Sequence, residues 1–333
     1  YISFWLLLIT FLVAIMIIVG GLTRLTGSGL SITEWNLISG IIPPLSLNKW
    51  QYTFSLYQEI PEFKLENSSM TLTQFKFIYW WEYVHRLLGR LIGLIFIIPL
   101  IFITLKKLLN KKTILSLYLI FFLICFQGFV GWYMVQSGLT EKTDVSHYRL
   151  SLHLIIAFII YILLLWNYLI NKSLNLINRG KQLPYSLPIV FISLILIQIS
   201  IGALVSGLDA GQIYQTWPLM NQKYFPDDVL LNDLLTLKIF EIPSLVQFLQ
   251  RNIAYFIFLF FLFMTYVIFK SKKYSHLKKI TLYIFGILFL QTVLGILTII
   301  SGAQIFLASM HQIGSILLIS ASLILVYKNT KIS

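Results

Sequence analysis

The chain has 333 residues, of which 58% are hydrophobic and only 11% charged, with a formal net charge of +13. A soluble domain carries roughly 25% charged residues, so this chain has too little polar surface to face water. That excludes a soluble enzyme, a disordered tail and a disulfide-rich secreted module, and the single Cys125 excludes an intramolecular disulfide or a thiolate metal cluster.

A helix that crosses a bilayer needs about 20 apolar residues. In chain order, such runs fall at 4–22, 76–105, 112–134, 150–170, 185–207, 244–270, 278–300 and 305–327, which predicts an all-α integral membrane protein with eight transmembrane helices. Pro99 is expected to kink the second helix, while Pro184 and Pro188 mark the start of the fifth. No cleavable signal peptide is visible, and a start inside the first apolar run without Met leads us to expect a few residues before Tyr1.

The charges orient these spans. Lys106, Lys107, Lys111 and Lys112 lie between the second and third, and Lys172, Arg179 and Lys181 between the fourth and fifth. Lys270, Lys272, Lys273, Lys278 and Lys279 lie between the sixth and seventh, and Lys328 and Lys331 in the tail. No acid accompanies these fourteen basic residues; all twelve acids lie elsewhere. The positive-inside rule places both termini on the inner side and the long connections 23–75 and 208–243 on the outer side. It also accounts for the positive charge without nucleic acid as a partner, leaving the lipid bilayer as the first one.

The two halves match motif by motif. Gly-Gly-Leu-Thr-Arg-Leu-Thr-Gly-Ser-Gly at 20–29 pairs with Gly-Ala-Leu-Val-Ser-Gly-Leu-Asp-Ala-Gly at 202–211, and Glu82-Tyr-Val-His85-Arg86 pairs with Gln247-Phe-Leu-Gln250-Arg251. Gln127 to Gly131 recurs as Gln291 to Gly295, and His153 as His311. These matches predict two repeated four-helix bundles, 1–172 and 173–333, inserted the same way up.

Five histidines are present. His276, in the Lys-rich inner connection, is read as solvated, and His147 as a loop residue near the outer surface. His85, His153 and His311 each sit a turn or two inside the outer end of a span, where an ionisable residue is costly and is a functional candidate by default. A lone histidine there would more often pack against a neighbouring helix. Three at one depth point instead to axial ligation of haem within a bundle, with His85 and His153 serving one haem and His311 a second. Where the repeat calls for a fourth histidine stands Gln250, whose neutral amide oxygen is a poor iron ligand, so the second haem would be five-coordinate, weakly held or absent.

Glu82 precedes His85 by three positions and shares its helix face, which makes it a candidate general acid or base; the competing reading is an ion pair with Arg86. Arg24, Arg86 and Arg251 are candidate clamps for haem propionates, since Arg binds carboxylate bidentately. Glycines 89, 93, 128, 131, 202 and 295 are read as points of close helix packing.

Taken with Gln127-Gly-Phe-Val-Gly-Trp-Tyr-Met-Val, Ser146-His-Tyr-Arg-Leu-Ser-Leu-His153, Gly207-Leu-Asp-Ala-Gly211 and His311-Gln, these motifs resemble the haem A synthase family over residues 20–312, in the proteobacterial and mitochondrial branch. The resemblance implies that the C8 methyl of haem O is oxidised through alcohol and gem-diol stages to the formyl group of haem A for cytochrome oxidase. By the same resemblance, His85 and His153 flank the substrate haem, Glu82 is the catalytic carboxylate, and the second bundle holds haem b as cofactor. Haem O synthase is then the expected substrate donor, the electron donor or acceptor stays unidentified, and association with further copies of the chain stays open. Gln250 departs from the family pattern of two histidines in the second bundle. A bacterial inner membrane is the expected location, with the mitochondrial inner membrane as the alternative. The rival reading is a di-haem b electron-transfer protein without haem chemistry, and a third is a repeat-built transporter. Gln250 counts against the relay, and the clustering of polar groups toward the outer side counts against the transporter.

Overall fold

The computed structural model describes residues 1–36, 39–139, 143–172, 182–184 and 186–330. Glu141, Arg179, Lys181 and Lys331 lie outside the described residues. Eight helices are long and apolar enough to cross a membrane: α1 (Ile2–Leu25), α4 (Leu72–Leu105), α5 (Lys111–Leu139), α6 (His147–Asn171), α7 (Ser186–Gly207), α8 (Pro243–Lys270), α9 (Ser275–Ile300) and α10 (Ile305–Asn329). Two shorter helices, α2 (Leu47–Gln58) and α3 (Pro61–Leu65), fill the connection from α1 to α4, and short 3-10 turns fill the connection from α7 to α8. Among the described residues there is no strand, only an isolated bridge between Met220 and Lys223.

Several helices run past their apolar cores because local chemistry extends them. α4 starts four residues before its apolar run, where Thr71 and Gln74 form a capping box: the Gln74 Oε1 accepts from the Thr71 N–H at 2.8 Å and the Thr71 Oγ1 from the Gln74 N–H at 3.4 Å. The helix continues through Pro99 without interruption. On α5, Leu115, Leu119, Phe122, Phe126, Phe129 and Tyr133 form an exposed stripe at alternating spacings of four and three, a face that only a lipid environment accommodates.

The chain groups into two compact units, Leu8–Tyr161 and Tyr1–Leu7 with Ile162–Ser333. In the first, the connection from α1 to α4 closes over α4: Trp50, Tyr57 and Ile60 pack with Phe75, Ile78, Tyr79 and Tyr83. The turn after α1 depends on Gly27, whose φ of +60° suits glycine, with the Ser28 N–H reaching back to the Thr23 carbonyl at 2.9 Å. That reversal sends residues 28–36 across α4.

In the second unit, α9 turns into α10 through Gly302 and Ala303, both with positive φ. α10 is deeply buried along Gly314–Asn329, and the Asn329 side chain holds both backbone groups of Leu183, accepting from its N–H at 2.8 Å and donating to its carbonyl at 3.1 Å. Ile201, Leu204 and Val246 form the core where α7 meets α8.

Candidate functional site

In the first unit, α4 and α6 bring His85 and His153 together, with ring centroids 6.5 Å apart and ring planes at 78°. Two imidazoles sharing one metal through bonds of ~2 Å have ring centres about 6 Å apart, so the separation fits axial ligation of one iron. Each ring lies against a glycine of a neighbouring helix. A Cβ on Gly20 would stand 3.1 Å from the His85 Nε2, and a Cβ on Gly131 would stand 3.1 Å from the His153 Cε1. One turn before Gly131, the Gln127 Nε2 donates to the His153 carbonyl at 2.9 Å. The His153 Nδ1 is buried and has no hydrogen-bond partner among the described residues.

The second unit has matching contacts. A Cβ on Gly295 would stand 3.1 Å from the His311 Cε1, and the Gln291 Nε2 donates to the His311 carbonyl at 2.7 Å. A Cβ on Gly202 would stand 3.3 Å from the Gln250 Nε2, and the Gln198 Nε2 donates to the Gln250 carbonyl at 3.0 Å. The His311 Nδ1 and Gln250 Oε1 are buried without hydrogen-bond partners among the described residues. These donor sets and cradles fit a bis-imidazole iron in the first unit and a single-imidazole iron in the second. Among the described residues, no group of three or more His, Cys, Asp or Glu gathers as a metal site.

Glu82 is 2% exposed and all its contacts are taken up. Its Oε2 accepts from the Ser31 hydroxyl at 2.7 Å and the Ile32 N–H at 2.8 Å; its Oε1 accepts from the Arg86 Nε at 3.0 Å and Nη2 at 2.6 Å. The ion pair expected as the competing reading is therefore present. Arg86 also donates to the carbonyls of Ile32 at 2.8 Å and Glu34 at 3.1 Å, and lies over the Trp35 ring, so its fork ties the outer segment to α4. Arg90 adds a bond to the Asn36 carbonyl at 3.0 Å.

Arg251 does the equivalent on α8, donating to the carbonyls of Tyr214 at 2.9 Å and Leu219 at 3.2 Å. Gln247, at the position matching Glu82, donates to the Tyr214 carbonyl at 3.0 Å. Arg24, at the end of α1, lies 3.9 Å from the half-exposed Asp144. His147 opens α6 with its ring against Tyr148. His276 differs from the solvated reading: both ring nitrogens are buried at the start of α9.

Two groups of functional candidates carry more than sequence reasoning gave them. Gly131, Gly202 and Gly295 make their close helix packing against the side chains of 153, 250 and 311, and Gln127, Gln198 and Gln291 hold the backbone of those same residues. The signal was in the sequence as Gln-x-x-x-Gly at 127–131, 198–202 and 291–295.

Comparison with known proteins follows the same residues. A family model described as "Cytochrome oxidase assembly protein" matches residues 3–323. The "Heme A synthase" of Pelagibacter ubique is 47% identical over 336 residues, covering 99% of this chain and 97% of that protein. Those of Rickettsia africae and Rickettsia bellii are 41% and 43% identical over 320 residues, covering 95% of this chain and 94% of theirs. With so much of its length matched, the chain belongs to the cytochrome oxidase assembly protein family, alongside the heme A synthases.

Proposed function

We propose that the chain is a haem A synthase, oxidising the C8 methyl of haem O to the formyl group of haem A. The observation that carries this reading is the facing pair His85 and His153, each seated on a glycine, with the buried Glu82 one turn from His85. The two imidazoles hold the substrate haem by its iron from α4 and α6. Glycine at 20 and 131 lets the rings approach their neighbouring helices more closely than a Cβ would allow, which sets where the substrate iron is held. The segment 28–36, drawn onto α4 by Glu82, Arg86 and Arg90, closes the outer side and excludes water.

Glu82 is the carboxylate that serves the oxidation, its Oε2 able to pass a proton through the Ser31 hydroxyl it already accepts from. Arg24, Arg86 and Arg251 are the candidate propionate clamps; the forks of Arg86 and Arg251 are also engaged by backbone carbonyls, and Arg24 lies beside Asp144. In the 173–333 repeat, His311 holds haem b, which supplies electron transfer when bound. The matched Gln and Gly contacts of the two units support the repeat reading. Haem O synthase is the expected substrate donor, and a bacterial inner membrane is the setting.

The test separates the proton role of Glu82 from its hydrogen bonds to Ser31 and Ile32. Glu82→Ala removes both, whereas Glu82→Gln keeps an acceptor for Ser31 and Ile32. Pigment chromatography of extracted haem should give haem O or its hydroxylated intermediate in both variants. Haem A at the parental yield from Glu82→Gln would reduce Glu82 to a structural anchor.

A further inference from the structure

The side chain at position 250 is held as tightly as a ligand, yet it is not one. Gln198 fixes its backbone carbonyl and Gly202 receives its tip, as Gly20 receives the His85 ring; in both cradles the nearest atom is the Nε2, at 3.3 and 3.1 Å from the glycine's Cβ position. Reach is not what Gln250 lacks: the Gln amide atoms and the His Nε2 both lie four bonds from Cα. What differs is the donor. An amide nitrogen has no lone pair to give, and a neutral amide oxygen is hard and binds ferrous iron poorly. On the His311 side, Gly295, Gln291 and the buried Nδ1 complete a holder for a single imidazole. Gly314 belongs to that holder, since a methyl there would overlap the Gln291 Oε1.

We propose that the iron at the His311 site is held by one protein nitrogen and binds a small diatomic π-acceptor ligand, of the carbon monoxide class, on its Gln250 side. The first site, closed by two imidazoles, binds none. This rests on the reading that the second repeat holds haem. The Gln250 Oε1 has no hydrogen-bond partner among the described residues, so the incoming ligand breaks no hydrogen bond of that oxygen. No bond other than iron to ligand forms and no electrons move, provided the iron is already ferrous.

The experiment uses the full chain in detergent, reduced with dithionite and titrated with carbon monoxide, with haem per protein measured separately by pyridine haemochrome. The parent should give a carbon monoxide difference spectrum. Gln250→Leu should keep it, and Gln250→His should lose it while retaining haem and gaining a low-spin signature. A parent that holds second-site haem yet ignores carbon monoxide overturns the proposal, as does equal uptake by Gln250→His with its haem retained. If His311→Ala leaves haem per protein unchanged, the second-haem reading fails, and this proposal with it. A drop in haem on His311→Ala with no uptake by the parent sinks the proposal alone.

Discussion

Glu62 on α3 is 7% exposed, and its Oε2 has no hydrogen-bond partner among the described residues. Burial, reinforced by the carboxylates of Glu66, Asp144 and Glu82, pushes its pKa up to about 8 from an ordinary 4.5. Between those two values the folded segment holds a proton that the unfolded chain releases. Stability of the outer segment therefore falls as pH rises through that window, by up to about 1.4 kcal/mol per pH unit. Protection factors across residues 57–67, that is, exchange normalised to the intrinsic base-catalysed rate, should fall from pH 5 to pH 8 in the parent and much less in Glu62→Gln; an equal fall in the two would remove Glu62 as the source. Nothing in the sequence marked this residue out from the other acids, because its burial comes from the packing of α2 onto α4 and of α3 onto α2 and α5. Glu82 was legible in part. Its spacing to His85 and Arg86 was visible, while its bonds to Ser31 and Ile32 needed the reversal at Gly27.

The Gln-x-x-x-Gly pair is the unit that holds residues 153, 250 and 311 on their helices, and in the proposed function it is the ligand holder. Residues four apart share a helix face, so the glutamine and glycine meet the same residue of the neighbouring helix, one at its backbone and the other at its side-chain tip. Gly131 illustrates the tolerance: with a Cβ 3.1 Å from the His153 Cε1, an added methyl forces the ring aside by a few tenths of an ångström. Overpacking of this kind typically costs about 1–3 kcal/mol. Gly131→Ala should keep the protein in the membrane but shift the electron paramagnetic resonance g-values of the haem proposed between His85 and His153 and weaken its retention. Unchanged g-values would mean that the ring is free to relax and the glycine only packs. At this scale the sequence alone was ambiguous. Glycines inside apolar helices serve close packing so often that only contact with a specific side chain separates the two uses. Helix existence was clear from the apolar runs, whereas helix ends followed caps such as Thr71 with Gln74 that hydropathy does not register.

The charge imbalance is a property of the whole chain, and the positive-inside rule makes it the basis of a proposed orientation. Eight spans were readable because a bilayer imposes a length and an apolar composition that few other environments require. What joins them was less readable: the outer connections carry α2, α3 and several 3-10 turns whose short segments depend on covering α4 and α8. Lys106, Lys107, Lys270, Lys272 and Lys273 lie at one end of the spans, and the acids of the outer connections at the other. If lysines anchor the inner side, that arrangement predicts which surfaces an impermeant reagent reaches. With the lone Cys125 replaced by serine, a cysteine introduced by Ser55→Cys or Asn232→Cys should react with a membrane-impermeant maleimide on intact cells. One introduced by Lys107→Cys or Lys273→Cys should react only after permeabilisation. All four positions are exposed, so accessibility reports the side of the membrane rather than burial. The inverse pattern would place the haem sites near the inner face and would leave fourteen basic residues outside without an explanation. A mixed pattern, with 55 and 232 on opposite sides, would break the parallel insertion of the two repeats, and with it the correspondence between His85 and Gln250.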